Sequence, residues 1–100
     1  MNDGGTIRQR MIGLLKERPM DVREISQELG ISEKDVYVHL EHIRRSVSGK
    51  GIKFSMELYK CLSCGYVFKD RSRIQKPGRC PKCRLSRIQN VRFHIPSRGF

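Results

Sequence analysis

Four cysteines carry the chemistry most plainly written in this chain. Cys61 and Cys64 form one Cys-x2-Cys pair, Cys80 and Cys83 form a second, and fifteen residues separate the two pairs. Two cysteines flanking a tight turn present both sulfurs on one side of a knuckle. Two knuckles facing each other close a tetrahedron around one ion, at about 2.3 Å per Zn–S bond. The surrounding residues suit such turns: Gly65 can take a positive φ after the first pair, Pro81 stiffens the second, and Pro77-Gly78 makes a turn between them. Disulfides are the other use of paired cysteines. The first five residues, Met1 to Gly5, lack the basic start and apolar stretch of a secretory leader. The expected location is therefore the cytosol, where glutathione keeps thiols reduced and favours ligation. With every position of the ion closed by protein sulfur, no place remains for substrate or water, and the role expected of the metal is structural.

The run Cys61-Leu62-Ser63-Cys64-Gly65-Tyr66, together with Cys80-Pro81-Lys82-Cys83, resembles the two knuckles of rubredoxins and rubredoxin-like zinc ribbons. Rubredoxins carry iron for electron transfer, and a four-sulfur tetrahedron accepts either metal. Two departures favour one Zn²⁺ over iron. The chain has no tryptophan, and Arg84 stands where the family places a glycine after the last cysteine. A residue with a side chain in the left-handed region costs about 1–2 kcal/mol, so strain is expected at Arg84.

The elements that must position this site follow from periodicity. Ile7, Met11, Leu14 and Leu15 lie on one stripe of a helix that Thr6 could cap, after a floppy Gly-Gly tail, and that Arg18-Pro19 ends. Asp21 caps a short second helix with Val22, Ile25 and Leu29 on one face, stopped by Gly30. Ile31 is expected to plug the turn. Ser32, with Asp35 three residues on, forms a capping-box variant at the head of a third helix over 33–47. Val36, Leu40, Ile43 and Val47 are its apolar stripe, and Ser48-Gly49-Lys50-Gly51 closes it. The period then changes to two. Phe54, Met56 and Leu58 alternate with Ser55, Glu57 and Tyr59, and Val91, Phe93 and Ile95 alternate with Arg92 and His94. These strands bracket the cysteines and are expected to pair antiparallel, with the metal module at the tip of their hairpin. Tyr66, Val67 and Phe68 are expected to leave the first knuckle as a strand.

Charge is divided unevenly along the chain. Residues 1–60 hold 11 Lys/Arg and 9 Asp/Glu, a net +2, whereas residues 61–100 hold 10 Lys/Arg and a single acid, Asp70, a net +9. Four thiolates on a divalent ion lower the second figure by about two. A basic surface of this kind meets a polyanion, most often nucleic acid. The cations responsible are Arg71, Arg73, Lys76, Arg79, Lys82, Arg84 and Arg87. Among histidines, His39, His42 and His94 read as surface or satisfied side chains, since cysteine already fills the metal site. No Ser/His/Asp ordering and no glycine-rich phosphate loop occurs, so an enzyme is not expected. No apolar run approaches the roughly 20 residues of a membrane span, and no membrane partner is expected.

Glu24 to Ser32, followed by Val36 and His39-Leu40, is the most specific part of a second resemblance, which covers residues 6–60 and 91–96. It is similar to the winged helix-turn-helix domains of prokaryotic regulators. Joined to a rubredoxin-like ribbon, it resembles a small family of archaeal predicted transcriptional regulators. The resemblance implies an α+β fold: a winged helix-turn-helix of three helices and a β-hairpin wing over 1–60, completed by a return strand at 91–96. A zinc ribbon over 61–90 is inserted at the wing, and 97–100 form a tail. It also implies DNA as partner, with the third helix in the major groove. Steps of about 100° from the buried stripe put Lys34, Val38, Glu41 and Arg45 on the outer face, flanked by Tyr37 and His42. Lys34 and Arg45 suit phosphate or guanine, Val38 a thymine methyl and Glu41 a cytosine amine. That face nets only about +1, so the ribbon, through Arg71, Arg73, Lys76, Arg84 and Arg87, is expected to supply much of the grip. RNA, a protein of the transcription or translation machinery, or a second copy of the chain are the competing partners.

Overall fold

The structure, a computed structural model, describes residues 3–69 and 73–96. Three helices, α1 (Asp3–Glu17), α2 (Val22–Leu29) and α3 (Glu33–Gly49), are joined to three short strands, β1 (Met20–Asp21), β2 (Ser55–Met56) and β3 (Arg92–His94). It is a mixed α+β fold with a cysteine-bearing ribbon between β2 and β3.

The first helix begins earlier than expected. It runs back through Gly4 and Gly5, so Thr6 is an exposed residue inside the helix and not its cap. Two glycines cost about 1 kcal/mol each in a helix interior, a weak preference that the rest of the helix overrides. Met11 and Leu15 are fully buried, with Ile7 and Leu14 packed beside them. The chain leaves through Arg18-Pro19 directly into β1, a strand that periodicity could not show because it is two residues long. Asp21 then caps α2 through a reciprocal box: its carboxylate accepts from the Glu24 N–H at 2.8 Å, and the Glu24 carboxylate accepts from the Asp21 N–H at 3.0 Å.

Gly30 ends α2 at φ 67°, its N–H bonding the Ser26 carbonyl at 2.9 Å. The Ser26 hydroxyl donates to the Ile31 carbonyl, which fixes the turn. Ile31 is half-buried against the core. Ser32 caps α3, its hydroxyl accepting from the Asp35 N–H at 3.1 Å. The buried residues of α3 are Val36, Leu40, Ile43 and Val47, the four of the expected stripe.

The sheet has the order β1-β3-β2, antiparallel throughout. Met20 and Met56 both oppose Phe93, which is fully buried, and the Ile95 N–H bonds the Leu15 carbonyl at 3.1 Å, tying the return strand to α1. On β3 the alternation holds: Val91, Phe93 and Ile95 are inside and Arg92 outside. On the β2 side it slips. Leu58, expected inside, is exposed, while Tyr59, expected outside, is buried. The ladder ends at Glu57, whose N–H bonds the Arg92 carbonyl at 3.2 Å, and beyond it Tyr59 turns in to meet the ribbon's own interior. The expected strand at 66–68 is reduced to a bridge between Lys60 and Val67. Buried residues form one cluster that runs from the helices through Phe93 and on to Tyr59, Phe68, Ile74 and Ile88 of the ribbon. Among the described residues no helix is long and apolar enough to cross a membrane.

Candidate metal centre and basic surfaces

The two knuckles are built as copies of one turn. In the first, the Cys61 N–H bonds the Tyr66 carbonyl at 2.8 Å and the Gly65 N–H bonds the Cys61 carbonyl at 2.9 Å. In the second, the Cys80 N–H bonds the Leu85 carbonyl at 2.9 Å and the Arg84 N–H bonds the Cys80 carbonyl at 2.8 Å. Gly65 has φ 81° and Arg84 has φ 64°, so the arginine occupies the left-handed position its sequence placement implied. The knuckles are held face to face by main-chain bonds from Leu62 N–H to the Arg87 carbonyl and from Gln89 N–H to the Lys60 carbonyl, both 2.8 Å.

This frame brings the four sulfurs of Cys61, Cys64, Cys80 and Cys83 within 4.8 Å of one another. The Cys61–Cys83 and Cys64–Cys80 sulfurs are 3.5 and 3.6 Å apart, too far for disulfides. A tetrahedron with Zn–S bonds of about 2.3 Å has edges of about 3.8 Å, so the spacing suits a single ion. Cys61 and Cys80 are buried, Cys83 is half-buried and Cys64 lies at the surface. Donors aimed at the sulfurs favour thiolate: backbone N–H groups of Cys64 and Ser63 draw Cys61 down to about 6, outweighing its burial. The Lys82 N–H approaches the Cys80 sulfur at 3.4 Å. Near Cys83 the Leu85 N–H acts in the same direction, but burial and the three neighbouring sulfurs push it up to about 12. Four thiolates do not coexist here without a cation between them.

The expected nucleic-acid contacts fall in two groups. On α3, Lys34, Val38 and Arg45 are exposed, Val38 at 49%. Glu41 is half-buried and its carboxylate pairs with Arg44 at 2.9 Å, which takes it from the role of a free base-reading group. Tyr37 is likewise half-buried. Its hydroxyl, raised by burial, hydrogen-bonds with the Tyr59 side chain and the backbone of Lys76, so it ties α3 to the ribbon. A groove of about 370 Å³ lies at this junction, lined by Lys34, Tyr37, Val38 and Gln75.

On the ribbon, Arg73, Arg79, Lys82, Arg84 and Arg87 are exposed, and Lys76 is half-buried with its ammonium on the Asn90 side-chain oxygen at 3.0 Å. Arg71 lies outside the described residues. His39 is a satisfied side chain: the Arg8 guanidinium donates to its Nδ1 at 3.1 Å, and burial together with that cation holds it below the usual imidazole range. The sequence reading missed the tie from Tyr37 to Tyr59 and the exposed Leu62 and Leu85 on the knuckles. A signal for the leucines was present, since apolar residues beside four metal ligands have no core to enter.

Comparison with known proteins fits this architecture. A family described as PF0610-like, N-terminal, matches residues 6–55, and one described as PF0610 rubredoxin-like zinc beta-ribbon domain matches residues 59–98. The solution NMR structure of protein PF0610 from Pyrococcus furiosus is similar at a TM-score of 0.77 and 29% identity, covering 91% of this chain and 89% of that one. No curated protein matches. Together with the clustered sulfurs, the ribbon match makes Cys61, Cys64, Cys80 and Cys83 the ligands of one structural zinc.

Proposed function

The chain belongs to the PF0610-like family, and on that footing we propose that it is a DNA-binding transcriptional regulator, a winged helix-turn-helix with its zinc ribbon inserted at the wing. In this reading residues 1–60 and the return strand 91–96 make one unit, residues 61–90 the other, and β2 with β3 is the root of the wing. The observation that carries it is the α2–Gly30–α3 unit. The inner stripe of α3 is fully engaged in the core, while Lys34, Val38 and Arg45 stand free of it on the outer face. A helix held on one side and open on the other is what insertion into a major groove requires.

The ribbon supplies the second contact. The ribbon meets α3 where Tyr37 lies by Tyr59 and Lys76 and where Gln75 lines a groove with Lys34 and Val38, and in this reading the nearby cations Arg73, Lys76 and Arg79 would meet phosphate. The zinc has all four positions taken by sulfur and supplies rigidity, so the protein acts by binding and not by catalysis. The modest charge of α3, with Glu41 given to Arg44, favours one rival, in which the ribbon works as an adaptor toward RNA or a protein partner.

The deciding experiment is selection of duplexes from a random pool by the zinc-loaded protein, with RNA as competitor. An enriched motif, altered when Lys34, Val38 and Arg45 are changed, is expected. Enrichment of no motif, or complete displacement by RNA, refutes the proposal.

A further inference from the structure

Leu62 and Leu85 are 56% and 52% exposed, although each sits within two residues of a metal-bound cysteine. The main-chain bonds that shape the knuckles account for both. Leu62 gives its N–H to Arg87, Leu85 gives its carbonyl to Cys80, and their side chains are left on the outside of the ribbon's metal-bearing end. The ribbon's interior is filled by Tyr59, Phe68, Ile74 and Ile88, so neither leucine has work in the core.

Lys82, Arg84 and Arg87, all exposed, neighbour Leu85 along the chain, and the main-chain bond from Leu62 to Arg87 brings Leu62 to the same segment. Among the described residues from Leu58 to Pro96 there is no carboxylate to neutralise them, and Asp70 lies outside those residues. Arg84 stands out further. It holds a left-handed φ of 64° at the position its sister turn gives to Gly65, and among the described residues no side-chain partner meets it. Backbone strain kept where a glycine would relieve it marks a side chain retained for what it touches outside the fold. A phosphate backbone could match the cations but offers nothing to bury against two leucines. A protein surface with carboxylates around an apolar side chain matches both.

We infer that the knuckle end of the ribbon, with Leu62, Leu85 and the neighbouring cations Lys82, Arg84 and Arg87, is a docking surface for an acidic protein segment with apolar anchors. The ribbon meets α3 through Tyr59, Gln75 and Lys76, residues other than those of the knuckle end.

The test uses the zinc-loaded full chain and a synthetic peptide of alternating Asp/Glu and Leu/Phe, followed by amide NMR. Saturable shifts are expected at Leu62, Arg84 and Leu85. Peptides with the apolar residues changed to Ser, or the acids to Gln, should bind at least tenfold more weakly. Leu62→Ser with Leu85→Ser should lose at least tenfold with zinc content and helicity unchanged. Arg84→Gly should lose several-fold while leaving the fold more stable, an opposition that a merely structural role for Arg84 does not produce. No binding of the peptide, or equal binding by the double-serine variant, overturns the inference. Shifts at these amides with duplex DNA or RNA and not with the peptide also overturn it, and assign the surface to nucleic acid. A failed duplex selection with retained peptide binding separates this inference from the DNA-binding proposal.

Discussion

The Tyr59 hydroxyl donates a buried hydrogen bond to the carbonyl of Ile74, fifteen residues further along the chain. That bond lies in the ribbon's interior, and Tyr37 of α3 meets the same tyrosine. Tyr59→Phe leaves the ring in place but strands the Ile74 carbonyl, at a cost of about 1–3 kcal/mol. Denaturant unfolding should show that loss with zinc still bound one to one. Amide exchange should also quicken in the N-terminal half of α3, which a loss confined to the ribbon would leave untouched.

Gly65 and Arg84 predict opposite responses to substitution. Arg84→Gly removes left-handed strain and should stabilise the zinc-loaded protein by up to about 1 kcal/mol, less what the freer unfolded chain takes back. Gly65→Ala introduces the same strain and should destabilise by about 1–2 kcal/mol. Neither site has a neighbour that forbids the change: a Cβ at Gly65 meets nothing within 4 Å. Thermal unfolding of the two variants decides the matter, and equal signs would contradict the backbone argument.

Removal of one ligand should take away the metal and with it the ribbon. Cys80→Ser leaves three sulfurs around a site whose binding free energy is also folding free energy. Elemental analysis should find less than one zinc per chain. The helical signal of α1, α2 and α3 should persist in circular dichroism, while amides of residues 59–90 lose protection.

Glu57 and Arg92 set a pH dependence. The carboxylate accepts from the Arg92 side chain at 2.8 Å and from its backbone N–H at 2.8 Å, and these bonds hold Glu57 below the usual glutamate range. A depressed carboxylate adds stability that is present above the unfolded value and is lost as pH falls through the folded one. Because the pair is exposed, Glu57→Gln should cost only about 0.2–1 kcal/mol at pH 7. That difference should vanish in acid, once the wild-type carboxyl is protonated too.

Salt dependence separates the two basic groups. Changing Arg71, Arg73, Arg84 and Arg87 to Gln should weaken duplex binding at every sequence, and each lost phosphate contact flattens the log K against log[salt] slope by about 0.9. If Arg84 and Arg87 serve a protein partner, the flattening should be about 2 and not 4. Changing Lys34, Val38 and Arg45 should shift sequence preference, with a slope change of at most about 2. An unchanged slope in the ribbon variant removes the ribbon from the DNA contact.

Much of this architecture is legible in the residues because each signal has one physical solution. The stripe Val36, Leu40, Ile43 and Val47 has one way to bury itself, and paired Cys-x2-Cys knuckles have one way to share an ion. Gly30 and Arg84 could be assigned to the left-handed region because the turns that contain them require it. What could not be read depends on contacts between distant parts of the chain. Strand β1 is two residues long and exists because Met20 finds Phe93. Tyr59 breaks the alternation of its strand because Ile74 lies across the ribbon to receive its hydroxyl. Tyr37 sits on the flank of the outer face of α3 by helical geometry, yet the ribbon draws it inward.

The pairing of Met20 with Phe93 also governs how the molecule must assemble. The two residues are 73 positions apart in a chain of 100, so closing β1 on β3 confines everything between them, the costliest kind of contact to make early. Zinc shortens that path, since a Cys61–Cys83 clasp removes the ribbon from the loop that remains to be closed. The ion thereby favours closure of the sheet on which the helices rest, its binding energy serving as folding energy. A cell starved of zinc would accumulate chains with formed helices and an open seam.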